Sequence, residues 1–103
     1  MQKKILDVVN IELEKGIASG VSIETPEAPI LLILTQKGFI MCGVLDVEGL
    51  DALLPGKMAA AKISGVRTFE DLLTKKVVTA TEKAQAMGVS PGMVGKEALN
   101  CLM

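Results

Sequence analysis

The stretch Gly38–Val47 reads GFIMCGVLDV, and within it the pattern of the chain changes from sheet to helix. Phe39–Cys42 is apolar enough for a buried strand, and Gly43 lets the backbone turn sharply after that strand. Asp46 then stands where a helix would take its N-cap, and apolar residues at helical spacing continue to Leu54. The stretch therefore predicts a sheet in the first half of the chain and mainly helices in the second.

The residues before this stretch alternate between apolar and polar types, as half-buried strands do. Two such runs, residues 9–13 and 17–23, are separated by a turn at Lys15–Gly16. Ile30–Thr35 is almost entirely apolar and predicts a strand buried on both faces, which a short turn joins to Phe39–Cys42. The first half is therefore expected to form an antiparallel meander of about four strands.

The residues after this stretch predict helices and one further strand. Pro55–Gly56 ends the first helix. Lys57–Ser64 is then expected to be a fifth strand of small residues, although its alanines would also permit a helix. Thr68 begins a second helix, because Asp71 follows it at the spacing of a capping box.

Two more short helices are predicted before residue 103. Thr79 and Glu82 form a capping box for a third helix, and Gly88 followed by Val89 suits a Schellman ending. Lys96–Leu102 is expected to be the last helix. The predicted fold is thus α+β, in which the meander is followed by a helix, a strand and three short helices packed on one face of the sheet.

The composition fits one α+β domain of residues 1–103 and argues against several classes of function. The net charge is −1 and two residues are aromatic, whereas nucleic acid is bound by clustered cations and stacking rings. The longest purely apolar run, Ile30–Leu34, is too short to span a membrane, and the N-terminal residues lack the pattern of a signal peptide. We therefore expect a cytoplasmic protein that binds neither nucleic acid nor membranes.

The chain has no histidine and two widely separated cysteines, Cys42 and Cys101, which we expect to be free thiols. The absence of histidine removes Ser-His and Cys-His catalysis and most zinc sites, so we expect no metal site and no cofactor. Half of the residues are hydrophobic, and only two of these are aromatic. Such a surplus in a small chain is typical of a buried subunit interface and predicts a homo-oligomer.

Two residues of the opening stretch are candidates for catalysis. Cys42, at a strand end just before a helix, is either a reactive thiol or a small buried residue. Gly43 beside it would let a ligand approach the backbone closely. Asp46 is either an acid–base partner for the thiol or only the cap of the helix.

Arg67, the sole arginine of the chain, is the main candidate for ligand binding. Its planar guanidinium suits a carboxylate or a phosphate, and it adjoins the helix that begins at Thr68. Arg67, Thr68 and Gly43 together form the predicted ligand site. The alternative is that Arg67 makes an ion pair with Asp46 or Glu70, or a contact between subunits.

Three motifs in this order, GFIMCGVLDV, GVRTFEDLL and AMGVSPGMVGKEAL, resemble the YunC-like family, known as domain of unknown function 1805. The resemblance covers about residues 30–103 and implies a small single-domain protein. The family has no established activity, so the resemblance implies no reaction. Because its motifs contain Cys42, Asp46 and Arg67, it implies that these residues belong together.

Three hypotheses about function follow. The leading one is a homo-oligomer that binds a small anionic ligand near Cys42 and Arg67. The second is a cysteine-dependent enzyme in which Cys42 is the nucleophile and Asp46 assists it. The third is a purely structural assembly protein without a small ligand.

Overall fold

The computed structural model describes residues 5–103, which form an α+β fold with one sheet and four short helices. Residues 1–4, which begin the segment that we do not expect to be a signal peptide, lie outside the described residues. The strands are β1 (Leu6–Leu13), β2 (Gly16–Ile23), β3 (Ile30–Leu34), β4 (Phe39–Cys42), β5 (Ala60–Ile63) and β6 (Thr79–Ala80). The helices are α1 (Val47–Leu53), α2 (Phe69–Thr74), α3 (Glu82–Ala86) and α4 (Gly95–Cys101).

The six strands lie side by side in chain order, and the predicted meander of four antiparallel strands is confirmed as β1–β4. The pairing of β4 with β5 is parallel, and that of β5 with β6 is antiparallel. Parallel neighbours require a connection that crosses over one face of the sheet, and α1 lies in that connection. Among residues 5–103, no helix has the length and the apolar content that crossing a membrane requires.

The two faces of the sheet bury different parts of the chain. The inner face, which we define as the face covered by α2, α3 and α4, carries the larger core cluster. Its strand residues are Ala18, Leu31, Ile33, Ile40, Cys42, Ala61 and Ile63. The outer face carries a smaller cluster with α1, formed by Leu32, Phe39, Met41, Leu45, Val47, Leu50 and Ala60. The three later helices therefore share one face as predicted, whereas α1 packs on the other.

The helix caps follow the sequence pattern closely in α1 and α2. The Glu48 N–H donates to Asp46 Oδ1 at 3.1 Å, so Asp46 is the N-cap of α1. The Asp71 N–H donates to Thr68 Oγ1 at 3.1 Å, which confirms Thr68 as the cap of α2. The segment predicted as Lys57–Ser64 is a strand rather than a helix, although only Ala60–Ile63 are paired.

The predicted start of the third helix is wrong by two residues. Thr79 pairs with Lys62 in β6 instead of capping a helix, and Thr81 is the N-cap of α3. The hydroxyl oxygen of Thr81, a fully buried residue, accepts hydrogen bonds from the N–H groups of Ala60 and Ala84, at 3.0 and 3.3 Å. Thr81 thus caps α3 and also continues the hydrogen bonding of β5. Because Thr81 holds the start of α3, Thr79 lies before the helix and pairs in the sheet.

The C-terminal end of α3 has the predicted Schellman geometry. Gly88 has a φ of +103°, a conformation that favours glycine. The Val89 N–H donates to the Ala84 carbonyl and the Gly88 N–H to the Gln85 carbonyl, both at 3.0 Å. This arrangement folds the buried Val89 side chain back into the inner core.

The close contact between α2 and α4 depends on Gly95. A Cβ atom at this position would overlap the carbonyl oxygen of Leu72, and the Gly95 N–H donates to the Lys75 carbonyl at 2.9 Å. The last helix starts at Gly95, one residue before the predicted start. The absence of a side chain therefore sets the distance between these two helices.

We predict that Gly95→Ala lowers the free energy of unfolding by about 3 kcal/mol or more, because the added methyl group meets backbone that cannot rotate away. Gly56→Ala is the matched control, since Gly56 has a φ of +66° and open space around it, so that only backbone strain of about 1 kcal/mol is expected. Urea unfolding of both variants measures the difference. A Gly95→Ala loss no larger than that of Gly56→Ala would contradict the packing argument.

Candidate functional site

A cleft of about 280 Å³ lies where the chain leaves the parallel strands β4 and β5. Because these strands are parallel, the loops that follow both of them emerge at the same edge of the sheet. The connection between β2 and β3 closes the remaining side. The lining residues are Ala28, Pro29, Cys42, Gly43, Val44, Gly65, Val66 and Arg67.

Cys42 is the most deeply buried of the candidate site residues, with 3% of its surface exposed. The Leu31 N–H lies 3.5 Å from its sulfur and donates a hydrogen bond to it. Cys42 belongs to the inner core cluster, whereas α1 packs on the outer face. The thiol is therefore held by β3 and does not face the first turn of α1, so the macrodipole of that helix is not positioned to activate it.

Arg67 lies at the exposed rim of the cleft. Its backbone N–H donates to Asp71 Oδ2 at 3.0 Å, which fixes the main chain at this point. The guanidinium itself makes no ion pair or hydrogen bond with any residue in the described range 5–103. The ion pair with Asp46 or Glu70, the alternative to ligand binding, is thus not formed there, and the five N–H donors of the side chain are available to a ligand.

The other two polar residues of the predicted site cap helices and do not line the cleft. Asp46 caps α1 through Oδ1, and Thr68 caps α2 through Oγ1. Gly43, in contrast, lines the cleft, and its backbone lies close to Ser64 in the loop after β5. The structure therefore brings Cys42, Gly43 and Arg67 to one cleft, and the catalytic role of any of them stays a prediction.

Lys75 is a residue of this site that the sequence reasoning missed. Its ammonium nitrogen lies 2.7 Å from the carbonyl oxygen of Gly65, which lines the cleft in a left-handed conformation with a φ of +73°. The lysine thus stabilises the loop that carries Arg67 and adds a second positive charge beside the cleft. Its position in a Lys-Lys pair gave no indication of this role.

The carboxylate of Asp71, in the first turn of α2, binds the same loop. Hydrogen bonding by the Arg67 N–H, the nearby charge of Lys75 and hydrogen bonds from Thr68 together hold the pKa of Asp71 below its ordinary value. Thr68 Oγ1 accepts from the Asp71 N–H and Asp71 Oδ2 accepts from the Arg67 N–H, so the two side chains together bind backbone donors around the N-terminus of α2. Nowhere in the described part of the chain do three or more His, Cys, Asp or Glu side chains gather as metal ligands would.

Comparisons with known proteins give one family model and two similar proteins. A family model described as Domain of unknown function (DUF1805) matches residues 41–102. The chain is 31% identical over 100 residues to an uncharacterized protein, YunC, from Bacillus subtilis (strain 168), with 96% of this chain and 99% of the relative covered. The crystal structure of a protein of unknown function, TA1206 from Thermoplasma acidophilum, matches with a TM-score of 0.88 and 30% identity, covering 100% of this chain and 98% of the other.

We predict that Asp71→Asn destabilises the protein at neutral pH and makes little difference in strong acid. The folded-state pKa of Asp71 is lowered from 3.8. The ionised carboxylate therefore stabilises the folded state fully above pH 3.8, and this stabilisation is lost as the pH falls through the lower folded-state pKa. Urea unfolding of the wild type and the variant at both pH values measures this change. Glu70→Gln, an exposed carboxylate of the same turn, is the control. If the difference in free energy of unfolding between the wild type and Asp71→Asn does not change with pH, the prediction is contradicted.

Proposed function

The chain belongs to the DUF1805 family, and we propose that it is a self-associating protein that binds a small anionic ligand in the cleft between Cys42 and Arg67. The single observation that carries the ligand proposal is the Arg67 guanidinium, which lies at the rim of the cleft without a partner among residues 5–103. A guanidinium fork binds carboxylate or phosphate oxygens in pairs, which an ammonium group does not do.

The charges around the cleft support an anion rather than a cation. Arg67 and the neighbouring ammonium of Lys75 bring two positive charges to one loop, and none of the residues that line the cleft is acidic. The carboxylate of Asp71, in the adjoining first turn of α2, already accepts a hydrogen bond from the Arg67 N–H. The remaining walls are apolar side chains and glycine backbone, which suit the hydrocarbon part of a ligand and its close approach.

The size of the cleft supports a small ligand. Its volume of about 280 Å³ is just below the range of roughly 300–1,000 Å³ that is usual for ligand pockets. The cleft is also open at the rim, where Arg67 is exposed. A small metabolite with one carboxylate or phosphate group therefore fits better than a polymer.

The second candidate is a cysteine-dependent enzyme, which the position of Cys42 in the same cleft supports. Two observations argue against it. The Cys42 residue is only 3% exposed, and none of the lining residues carries a carboxylate that could act as a general base. A nucleophilic thiol requires access, which the burial of Cys42 restricts, so the geometry favours binding over thiol chemistry.

We predict that inorganic phosphate or a small carboxylate raises the thermal stability of the wild type and not that of Arg67→Ala. At a ligand concentration of about 100 times the dissociation constant, binding raises the free energy of unfolding by about 2.7 kcal/mol. Thermal-shift measurements against a panel of both anion classes test this. Lys96→Ala removes the same charge from an exposed position on α4 and is expected to keep the full response. The proposal fails if no anion stabilises the wild type more than Arg67→Ala.

We predict slow alkylation of Cys42 in the native protein, and still slower alkylation when an anion occupies the cleft. Cys101→Ser isolates this thiol, because the chain has no third cysteine. Labelling with iodoacetamide, followed by mass spectrometry in native and in denaturing conditions, gives the two rates. Native labelling as fast as that of the unfolded chain would contradict the burial argument and would favour the thiol enzyme instead.

A further inference from the structure

The cleft offers a ligand one permanently charged group. Among the described residues that line it, Arg67 alone carries a charge that does not depend on pH in the physiological range. The ammonium of Lys75 stands beside the cleft and is bound to the Gly65 carbonyl oxygen at 2.7 Å, and Lys75 is not a lining residue. An anion in the cleft therefore meets a single guanidinium, which presents its N–H donors in pairs.

A single guanidinium matches a carboxylate better than a phosphate. A carboxylate has one negative charge and two oxygens, which one guanidinium binds side by side. A phosphate monoester carries a charge of about −1.5 to −2 at pH 7 and three acceptor oxygens, so one guanidinium leaves part of both uncompensated. Cys42 adds only a weak S–H donor, and its sulfur already accepts from the Leu31 N–H at 3.5 Å. The side chains of the cleft thus supply the partners that a monocarboxylate requires.

The rest of the cleft is apolar, and part of it is exposed to water. Val66 is only 9% exposed, whereas Val44 is 64% exposed although it also lines the cleft. Covering Val44 removes apolar surface from water, and the gain in free energy is proportional to the area covered. A hydrocarbon chain next to the anionic group would cover this valine, and an inorganic anion would not.

The volume of the cleft limits the length of that chain. A group the size of a water molecule occupies about 30 Å³, so a cleft of about 280 Å³ has room for roughly nine such groups. The carboxylate takes three of these places, which leaves about six for further carbon atoms. A carboxylic acid of up to about seven carbons therefore fits.

We infer that the ligand of the cleft is an aliphatic monocarboxylate of about four to seven carbons rather than a phosphate. The carboxylate pairs with the Arg67 guanidinium at the rim, and the hydrocarbon chain lies against Val44 and Val66. This inference rests on the proposed function, because it names the class of anion that the cleft takes. Arg67 then determines the specificity for the head group, and Val44 determines the specificity for the chain.

NMR titration of the isotope-labelled full chain with acetate, butanoate, pentanoate and hexanoate, at constant ionic strength, tests the inference. The affinity is expected to rise about fourfold for each methylene group that the cleft buries. Pentanamide and butylphosphonate carry the same four-carbon chain as pentanoate and isolate the head group. Both are expected to bind at least about tenfold more weakly, because the amide has no charge and the phosphonate has more charge than one guanidinium compensates.

Val44→Thr tests the position of the chain, because it replaces a methyl group by a hydroxyl group at an exposed residue. This variant is expected to bind acetate as the wild type does and to show a smaller rise in affinity per methylene than the wild-type value of about fourfold. Val78→Thr is the matched control, since Val78 is 52% exposed and does not line the cleft. It is expected to keep the full chain-length dependence.

The outcomes separate this inference from the proposed function. If inorganic phosphate or butylphosphonate binds at least as tightly as pentanoate, and Arg67→Ala abolishes that binding, the inference is overturned and the anion site stands. Equal affinity for acetate and hexanoate also overturns the inference. A chain-length dependence that Val44→Thr retains in full overturns the placement of the chain. If no anion of either class binds to the wild type, both the inference and the proposed ligand site are overturned.

Discussion

The parallel pairing of β4 with β5 is the contact on which the rest of the molecule depends. The Phe39 N–H donates to the Ala59 carbonyl at 3.0 Å, and a Cβ atom at Gly38 would overlap that carbonyl, so the close approach requires glycine there. Because the two strands run in the same direction, the chain between them must cross the sheet, and α1 packs on the outer face as part of that connection. The same direction brings the loops after both strands to one edge, where Cys42 and Arg67 line the cleft.

Elements whose pattern is local could be predicted from the sequence, and elements decided by distant contacts could not. The caps at Asp46 and Thr68 depend on backbone groups two or three residues away, which the spacing of the side chains already indicates. The spacing of Thr79 and Glu82 predicts a capping box, although Thr81 stands before the same helical pattern and is the actual cap. Only the pairing with β5, some seventeen residues earlier, distinguishes them. The sequence also does not predict on which face of the sheet α1 packs, since the apolar stripe that contains Val47 would pack on either side of an apolar sheet.

The candidate site shows the same division. Cys42 and Arg67 stand in two loops that no periodicity joins, and the resemblance to a family, rather than a physical argument, placed them together. Asp46 illustrates a different limit, because an N-cap and an acid–base partner for Cys42 require the same residue type at the same position. Only the geometry distinguishes these two roles, and in the structure the Asp46 carboxylate caps α1. Lys75 was missed because its bond to the Gly65 carbonyl exists only once α2 packs back on its own N-terminal loop.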